Sequence, residues 1–160
     1  RKLILFIIIY MKNLKKIQIV KVNLGRNVEI IEPVNLYECE IGDDCFIGPF
    51  VEIQKDVFLG KKNRIQSHTF ICSNVKIKNN CFIGHGVMFI NDKFENGGPS
   101  GKKNFKKTLI GDNVSIGSNA TILPVKISNN VLIGAGSVVT KDIMKPGVYA
   151  GNPAKFIRKI

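Results

Sequence analysis

Apolar residues recur every six positions along most of this chain. From Ile41 the register runs through Ile47, Ile53, Leu59, Ile65, Ile71, Ile77, Ile83 and Phe89. A fixed period outranks any local reading of a sequence. The second position of each unit is often glycine, as at Gly42, Gly48, Gly60 and Gly84. The fifth is small or branched, as at Cys45, Val51, Val57, Thr69, Val75, Cys81 and Val87. The register extends back through LGRNVE (24–29) and IIEPVN (30–35), then meets a five-residue unit, LYECE (36–40). It stops after Phe89 and returns at IGDNVS (110–115) and IGSNAT (116–121). A second five-residue unit, ILPVK (122–126), leads into ISNNVL, IGAGSV and Val139.

A short strand with period-two alternation places positions one and five of a hexad on the same side. Glycine at position two lets the chain turn where a side chain would clash or where φ must be positive. Three strands and three corners then close one coil of about 18 residues, and coils stack through their backbones. The expected fold is an all-β parallel β-helix of about six coils, with apolar ladders along its interior. Counting faces from Leu24, Ile30 and Leu36, both five-residue units fall on the third face, and the break also leaves from there.

The break, residues 90–109, reads INDKFENGGPSGKKNFKKTL. Its glycines and Pro99 are turn formers, and a long loop expelled from a compact solenoid is usually functional. It carries Lys93, Lys102, Lys103, Lys106 and Lys107 against Asp92 and Glu95. It reads either as a lysine-rich surface loop or as a flap offering cations to a pyrophosphate.

Composition adds bounds. The chain has 160 residues, the size of one domain, with a net charge of +12. That charge admits nucleic acid, a membrane surface or a phosphate-bearing small molecule as partner. No apolar run reaches the roughly 18 residues of a membrane span. The chain opens RKLILFIIIY before Met11. Two readings stay open for residues 1–10: a segment upstream of the natural start, or an N-terminal strand. Residues 11–160 read as one domain.

Cys45 and Cys81 take the inward fifth position and Cys39 sits near the equivalent place, so they read as small core residues. No C-x-x-C pair occurs. Cys72, at position two, is the one thiol placed as a nucleophile would be. His68 and His85 lie on the second face in successive coils. With coils about 4.8 Å apart, they are expected near each other at one corner. They read as solvated corners or as a hydrogen-bonding pair facing a substrate.

The strings GPFVEIQ (48–54), QSHTFI (66–71), GHGVMFIND (84–92) and ATILPVKI (120–127) together resemble the hexapeptide-repeat acyltransferases. The branch they resemble moves acetyl from acetyl-CoA to the 3-amino group of a nucleotide-linked amino sugar. The resemblance covers about residue 24 to the C-terminus. It implies a left-handed coil, a homotrimer with sites between subunits, and a short C-terminal tail for which a helix is one open conformation. It also implies a cytoplasmic setting in surface-glycan assembly. The loop after Asn91 is shorter than the branch would suggest, which bears on which sugar fits.

The implied catalytic residues are Asn91, His68 and His85, with Glu52, Gln54, Gln66, Asp92 and Lys93 toward the acceptor. Asn91 opens the expelled loop, where a side-chain amide can accept from the sugar amine and orient it. GNPAK (151–155) resembles the family's motif beside coenzyme A. The coenzyme side is then Gly117, Gly134, Ala135, Gly136, Lys141, Asn152, Pro153, Lys155 and Arg158. The glycines would let a pantetheine arm lie on backbone, and the cations would pair with phosphates. No metal is implied: two histidines per chain cannot build the three-histidine zinc site of some β-helix enzymes. An amine neutral in part near neutral pH needs no strong base, and the leaving sulfur can take its proton. Two alternatives remain. An O-acetyltransferase on a sugar or serine hydroxyl would make one histidine essential. A basic β-helix binding nucleic acid would use the charge, but no aromatic platform for bases is visible.

Overall fold

The computed structural model describes residues 18–160. The segment 1–10, with its two readings, lies outside the described residues.

Short parallel strands stack into three sheets that wrap one axis. On the second face, Ile30, Ile47, Ile65, Ile83, Ile116 and Ile133 pair rung by rung in one ladder. The third face stacks Leu36 on Ile53, then Ile71, Phe89, Ile122 and Val139. Almost all these inward side chains have no exposed surface. They form one continuous core, which the hexad pattern anticipated. Truncating one such isoleucine to alanine costs about 2–5 kcal/mol. Sheet pairing runs between coils, so each rung is held by the rungs above and below it.

Two expectations need correction in extent. The third face has seven strands, because Ile19–Val20 adds a rung ahead of Leu24. The C-terminal tail is not helical. Gly147–Ala150 continues the second face, and Lys155–Arg158 folds back antiparallel upon it. Tyr149 and Phe156 meet edge-on, 5.5 Å apart, and fix this hairpin. The β-branched and aromatic residues of both segments, Val148 and Tyr149 in one and Phe156 and Ile157 in the other, suit a strand better than a helix.

The corners decide between the two roles expected of glycine at position two. Left-handed backbone falls at the fourth position, as at Asn27, Asp44, Lys62, Asn80, Asn113 and Asn130, with φ from 54° to 58°. Asn and Asp tolerate that region better than other side chains do. Glycine at position two is demanded by close approach. A Cβ on Gly42 would lie 2.7 Å from the carbonyl oxygen of Gly60 in the next coil.

The corner between the first and second faces is stapled by side chains. Asn80 donates to Asn113 at 2.7 Å and Asn113 to Asn130 at 3.1 Å. Asp43 accepts from the Arg26 backbone N–H at 2.9 Å and pairs with Lys61 at 3.0 Å. Inside this corner the buried Asn63 amide donates to the carbonyls of Gly60 and Lys78. Its Oδ1 accepts from the backbone N–H of Cys81.

The expelled loop leaves the third face after Met88–Phe89 and rejoins the first face at Thr108–Ile110. Thr108 and Leu109 therefore belong to the sheet. A single 3-10 turn, Lys102–Asn104, lies within the loop. Among the described residues, no helix is long and apolar enough to cross a membrane.

Candidate active site

The candidate residues divide between the two edges of the third face. The edge shared with the second face carries both histidines. At this corner the third hexad position stacks Ser67 over His85, and Ser67 Oγ lies 2.8 Å from His85 Nδ1. The fourth position stacks Phe50 over His68. Their rings are 4.8 Å apart and 13° from parallel. Both residues hold φ at 61° and both are exposed. A left-handed phenylalanine is uncommon enough to merit attention. The histidines thus occupy neighbouring columns of one corner, and each is engaged by a different partner.

The coenzyme-side candidates continue down the same edge. Gly84, Gly117, Gly134 and Ala150 stack in consecutive rungs. A Cβ on Gly84 would meet Ser118 N at 2.7 Å, one on Gly117 the backbone of Ala135, and one on Gly134 the Ala150 Cβ at 2.9 Å. The result is a glycine track that the close approach of successive coils requires, ending on the Ala150 methyl, with Gly136 open beside it. The track runs from His85 to the turn containing Asn152 and Pro153. Lys155 and Arg158 stand on the returning strand of the hairpin. Gln66 also belongs to this edge, directly against Gly48.

The opposite edge of the third face, toward the first face, holds Asn91. Its Nδ2 donates to the Ser73 carbonyl at 3.2 Å and to Ser73 Oγ at 2.9 Å. A cleft of about 630 Å³ opens here beneath the loop. Tyr37, Phe70, Phe94 and Phe105 line it, with Gln54, Lys55, Asp56, Ser73, Asn91 and Asp92 as its polar groups. Gln54 bridges within the wall. It donates to Glu52 at 3.0 Å and accepts from the Ser73 N–H at 3.2 Å. Asp92 turns inward on the loop: it accepts from the Phe94 N–H at 3.0 Å, and from the Ser100 N–H and hydroxyl at 2.6 and 2.8 Å. The Phe94 N–H, above the other donors, holds this carboxyl below its ordinary range. Lys93 borders a smaller hollow of about 210 Å³ with Glu95 and Lys106.

Within one chain, therefore, Asn91 does not stand beside His68 and His85, because the width of the third face separates them. Lys141 is also displaced from the glycine track. It follows Val138–Val139, on the Asn91 edge. Cys72 is not an exposed corner thiol. It is 3% exposed, and burial pushes its thiol up to about 12. Cys39 and Cys81 are likewise raised to about 11 by burial.

Sequence reasoning passed over Ser67, Ser73, Phe50 and the cleft aromatics. The signal for the first three was available. Ser67 precedes His85 by 18 residues, as Ser73 precedes Asn91 and Phe50 precedes His68. One coil of separation places each pair in contact.

Comparison with known proteins places this architecture. Residues 107–141 match a family model described as the hexapeptide repeat of succinyl-transferase. A chloramphenicol acetyltransferase of Klebsiella aerogenes is 47% identical over 53 residues, 32% of this chain and 25% of that protein. The bifunctional protein GlmU of Streptococcus gordonii is 48% identical over 52 residues, 32% of this chain and 11% of that protein. The first relatives matched share only 26% to 32% of their own length with this chain. Among solved structures, AntD, an N-acyltransferase of Bacillus cereus held with dTDP and coenzyme A, superposes with a TM-score of 0.77. It is 22% identical, over 88% of this chain and 84% of that one. The GDP-perosamine N-acetyl transferase of Caulobacter crescentus, held with CoA and GDP-perosamine, gives 0.60 at 15% identity, over 98% and 64%. At such identities the superpositions establish the shared fold.

Proposed function

Starting from a hexapeptide-repeat solenoid that shares its fold with these acyltransferases, we propose that the chain is an acetyl-CoA-dependent N-acetyltransferase. Its acceptor is the 3-amino group of a dTDP- or UDP-linked amino deoxy sugar, made for surface glycans in the cytoplasm.

One observation carries this reading. The glycine track beginning at Gly117 and Gly134 ends on a histidine corner. An extended pantetheine arm needs such a track, because its amides must approach backbone closely. Gly117, Gly134, Ala135 and Gly136 would flank the arm, with Asn152 and Pro153 at its far end. Lys155 and Arg158 would pair with the coenzyme phosphates. The thioester then lies near His85.

The acceptor belongs in the aromatic-lined cleft on the Asn91 edge. Its flat rings suit a nucleobase, and Lys93, on the smaller hollow that shares Asp92 with the cleft, suits a diphosphate. Glu52 and Gln54 supply acceptors and a donor for sugar hydroxyls, while Asp92 shapes the loop that closes above them. Gln66 would meet the acceptor from the histidine side.

Because the two edges lie apart in one chain, the reaction needs two copies. A homotrimer with each site between neighbouring subunits brings the histidine edge of one copy to the Asn91 edge of the next. Asn91 then orients the amine. The amine nitrogen attacks the thioester carbon, nearby donors stabilise the oxyanion that forms, and its collapse breaks the C–S bond while the departing sulfur takes the amine's proton.

The test is turnover of the purified protein with acetyl-CoA and a panel of UDP- and dTDP-linked 3-amino sugars, read as thiol release. Turnover on a 3-amino sugar supports the proposal. Turnover on hydroxyl acceptors alone would replace it with an O-acetyltransferase. Tight, strongly salt-dependent DNA binding without acetyl transfer would favour the nucleic-acid reading.

A further inference from the structure

A side-chain amide can face either way, and its hydrogen-bond partners decide which. On the cleft wall one residue decides for two amides. The Ser73 N–H can only donate, so the Gln54 atom 3.2 Å from it is Oε1, and Gln54 Nε2 turns away to donate to Glu52 at 3.0 Å. The Ser73 carbonyl can only accept, so the Asn91 atom 3.2 Å from it is Nδ2. An amide nitrogen has no lone pair to offer. The Ser73 hydroxyl, 2.9 Å from the same Nδ2, is therefore the acceptor in that contact.

That bond leaves the hydroxyl proton unused. Among the described residues, the contact with Asn91 is the only hydrogen bond of Ser73 Oγ. The residue is 6% exposed and lines the cleft together with Gln54 and Asn91. A nearly buried donor costs free energy unless the cleft supplies an acceptor for it. Asn91 Oδ1 is free on the same wall, one amide group and one hydrogen bond away. The wall thus presents one acceptor and one donor side by side.

We propose that Ser73 is a specificity-determining residue, whose hydroxyl donates to a sugar hydroxyl on a carbon next to the one that bears the amine. The inference rests on the proposed acetyl transfer, in which Asn91 Oδ1 accepts from that amine. The group facing Ser73 is a neutral oxygen and not an anion. Asp56 and Asp92 line the same cleft, Glu52 is held by Gln54, and Lys55 is already paired with Asp56 at 3.5 Å. A second anion there would meet like charge. An acceptor without the neighbouring hydroxyl leaves the Ser73 proton unpaired, and the site discriminates against it for that reason.

The test uses the intact protein, acetyl-CoA, the best 3-amino sugar of the panel, and its 2-deoxy and 4-deoxy analogues. Wild type should lose about fivefold in kcat/KM on one of the two analogues. Ser73→Ala should lose about fivefold on the parent sugar, chiefly through KM, and nothing further on that analogue. Ser73→Gly removes the same hydroxyl and should repeat the pattern. Discrimination is a ratio within one protein, so it does not depend on how much of a variant folds. A wild type indifferent to both hydroxyls overturns the inference, whatever the variants do. So does a Ser73→Ala protein that keeps the wild-type discrimination, since the hydroxyl would then serve only to hold Asn91. Turnover on no 3-amino sugar sinks the functional reading and the inference with it, whereas turnover without discrimination sinks the inference alone.

Discussion

The side-chain amide of Asn91 reaches across one rung to Ser73, giving one hydrogen bond to its carbonyl and one to its hydroxyl, at 3.2 and 2.9 Å. Both bonds use Nδ2, so Oδ1 remains available as an acceptor. The Asn91 carbonyl accepts from the Lys106 N–H at 2.9 Å, which closes the base of the expelled loop. One residue therefore secures the loop and offers an oxygen to the cleft.

These two duties separate by mutation. Asn91→Ala should reduce turnover about 10²-fold, as loss of a positioning group can. Ser73→Ala keeps the carbonyl partner and should cost less than about tenfold. Steady-state rates and thermal midpoints for both variants decide the matter. Equal losses of rate and of stability would mean that Asn91 only anchors the loop.

His68→Ala should lower turnover about tenfold and leave activity that rises with pH as the acceptor amine loses its proton. The loss follows from removing the stack on Phe50, which leaves a bulky left-handed residue without its neighbour. A pH–rate profile on the preferred acceptor checks it. Abolished activity with Asn91→Ala nearly normal would invert the ranking of these residues.

All four cysteines are buried, and burial raises Cys72 to about 12. The thiolate is the reactive form, so native protein near neutral pH should resist alkylation over hours. Mass spectrometry should find all four labelled only after denaturation. Fast labelling of Cys72 in the native state would show that the cleft opens further than its walls suggest.

Acid should loosen the corner that Asp43 staples. The Arg26 backbone N–H first, and the Lys61 ammonium next, lower this carboxyl from 3.8 to about 2. The folded protein binds that proton less readily than the unfolded chain. The stability it contributes is thus complete above the unfolded value and lost as pH falls through about 2. Asp43→Asn should be less stable than wild type at neutral pH, and the gap should narrow in acid. Denaturant midpoints at several pH values measure it, and a gap independent of pH would refute the assignment.

Light scattering at micromolar concentration should report about three chains per particle. A monomer with full activity would remove the need for two edges to meet.

Much of the architecture is legible in the hexads. Ile47, Ile65 and Ile83 face inward because a period of six closes three strands and three corners per coil. The five-residue units and the loop fall on one face, as the phasing requires. The hairpin tail was less legible. Residues 151–158 carry no hexad, and whether they run as helix or strand depends on the open second-face edge at Val131–Ile133 that Gly147–Ala150 extends. The candidate residues were legible one by one, and their separation was not. The period assigns His85 and Asn91 to different corners, but only the width of the intervening strand shows that one chain cannot unite them.

The expelled loop adds chain length without adding axial rise. Ile83 pairs directly with Ile116, as Ile65 pairs with Ile83, although the first interval contains the whole excursion. Position along the solenoid is therefore counted in rungs and not in residues. Insertions at this corner can lengthen or reshape the roof over the cleft while the spacing between His85 and the glycine track stays fixed. Under the proposed function, acceptor choice and coenzyme geometry can drift independently, one written in the loop and the other in the stack.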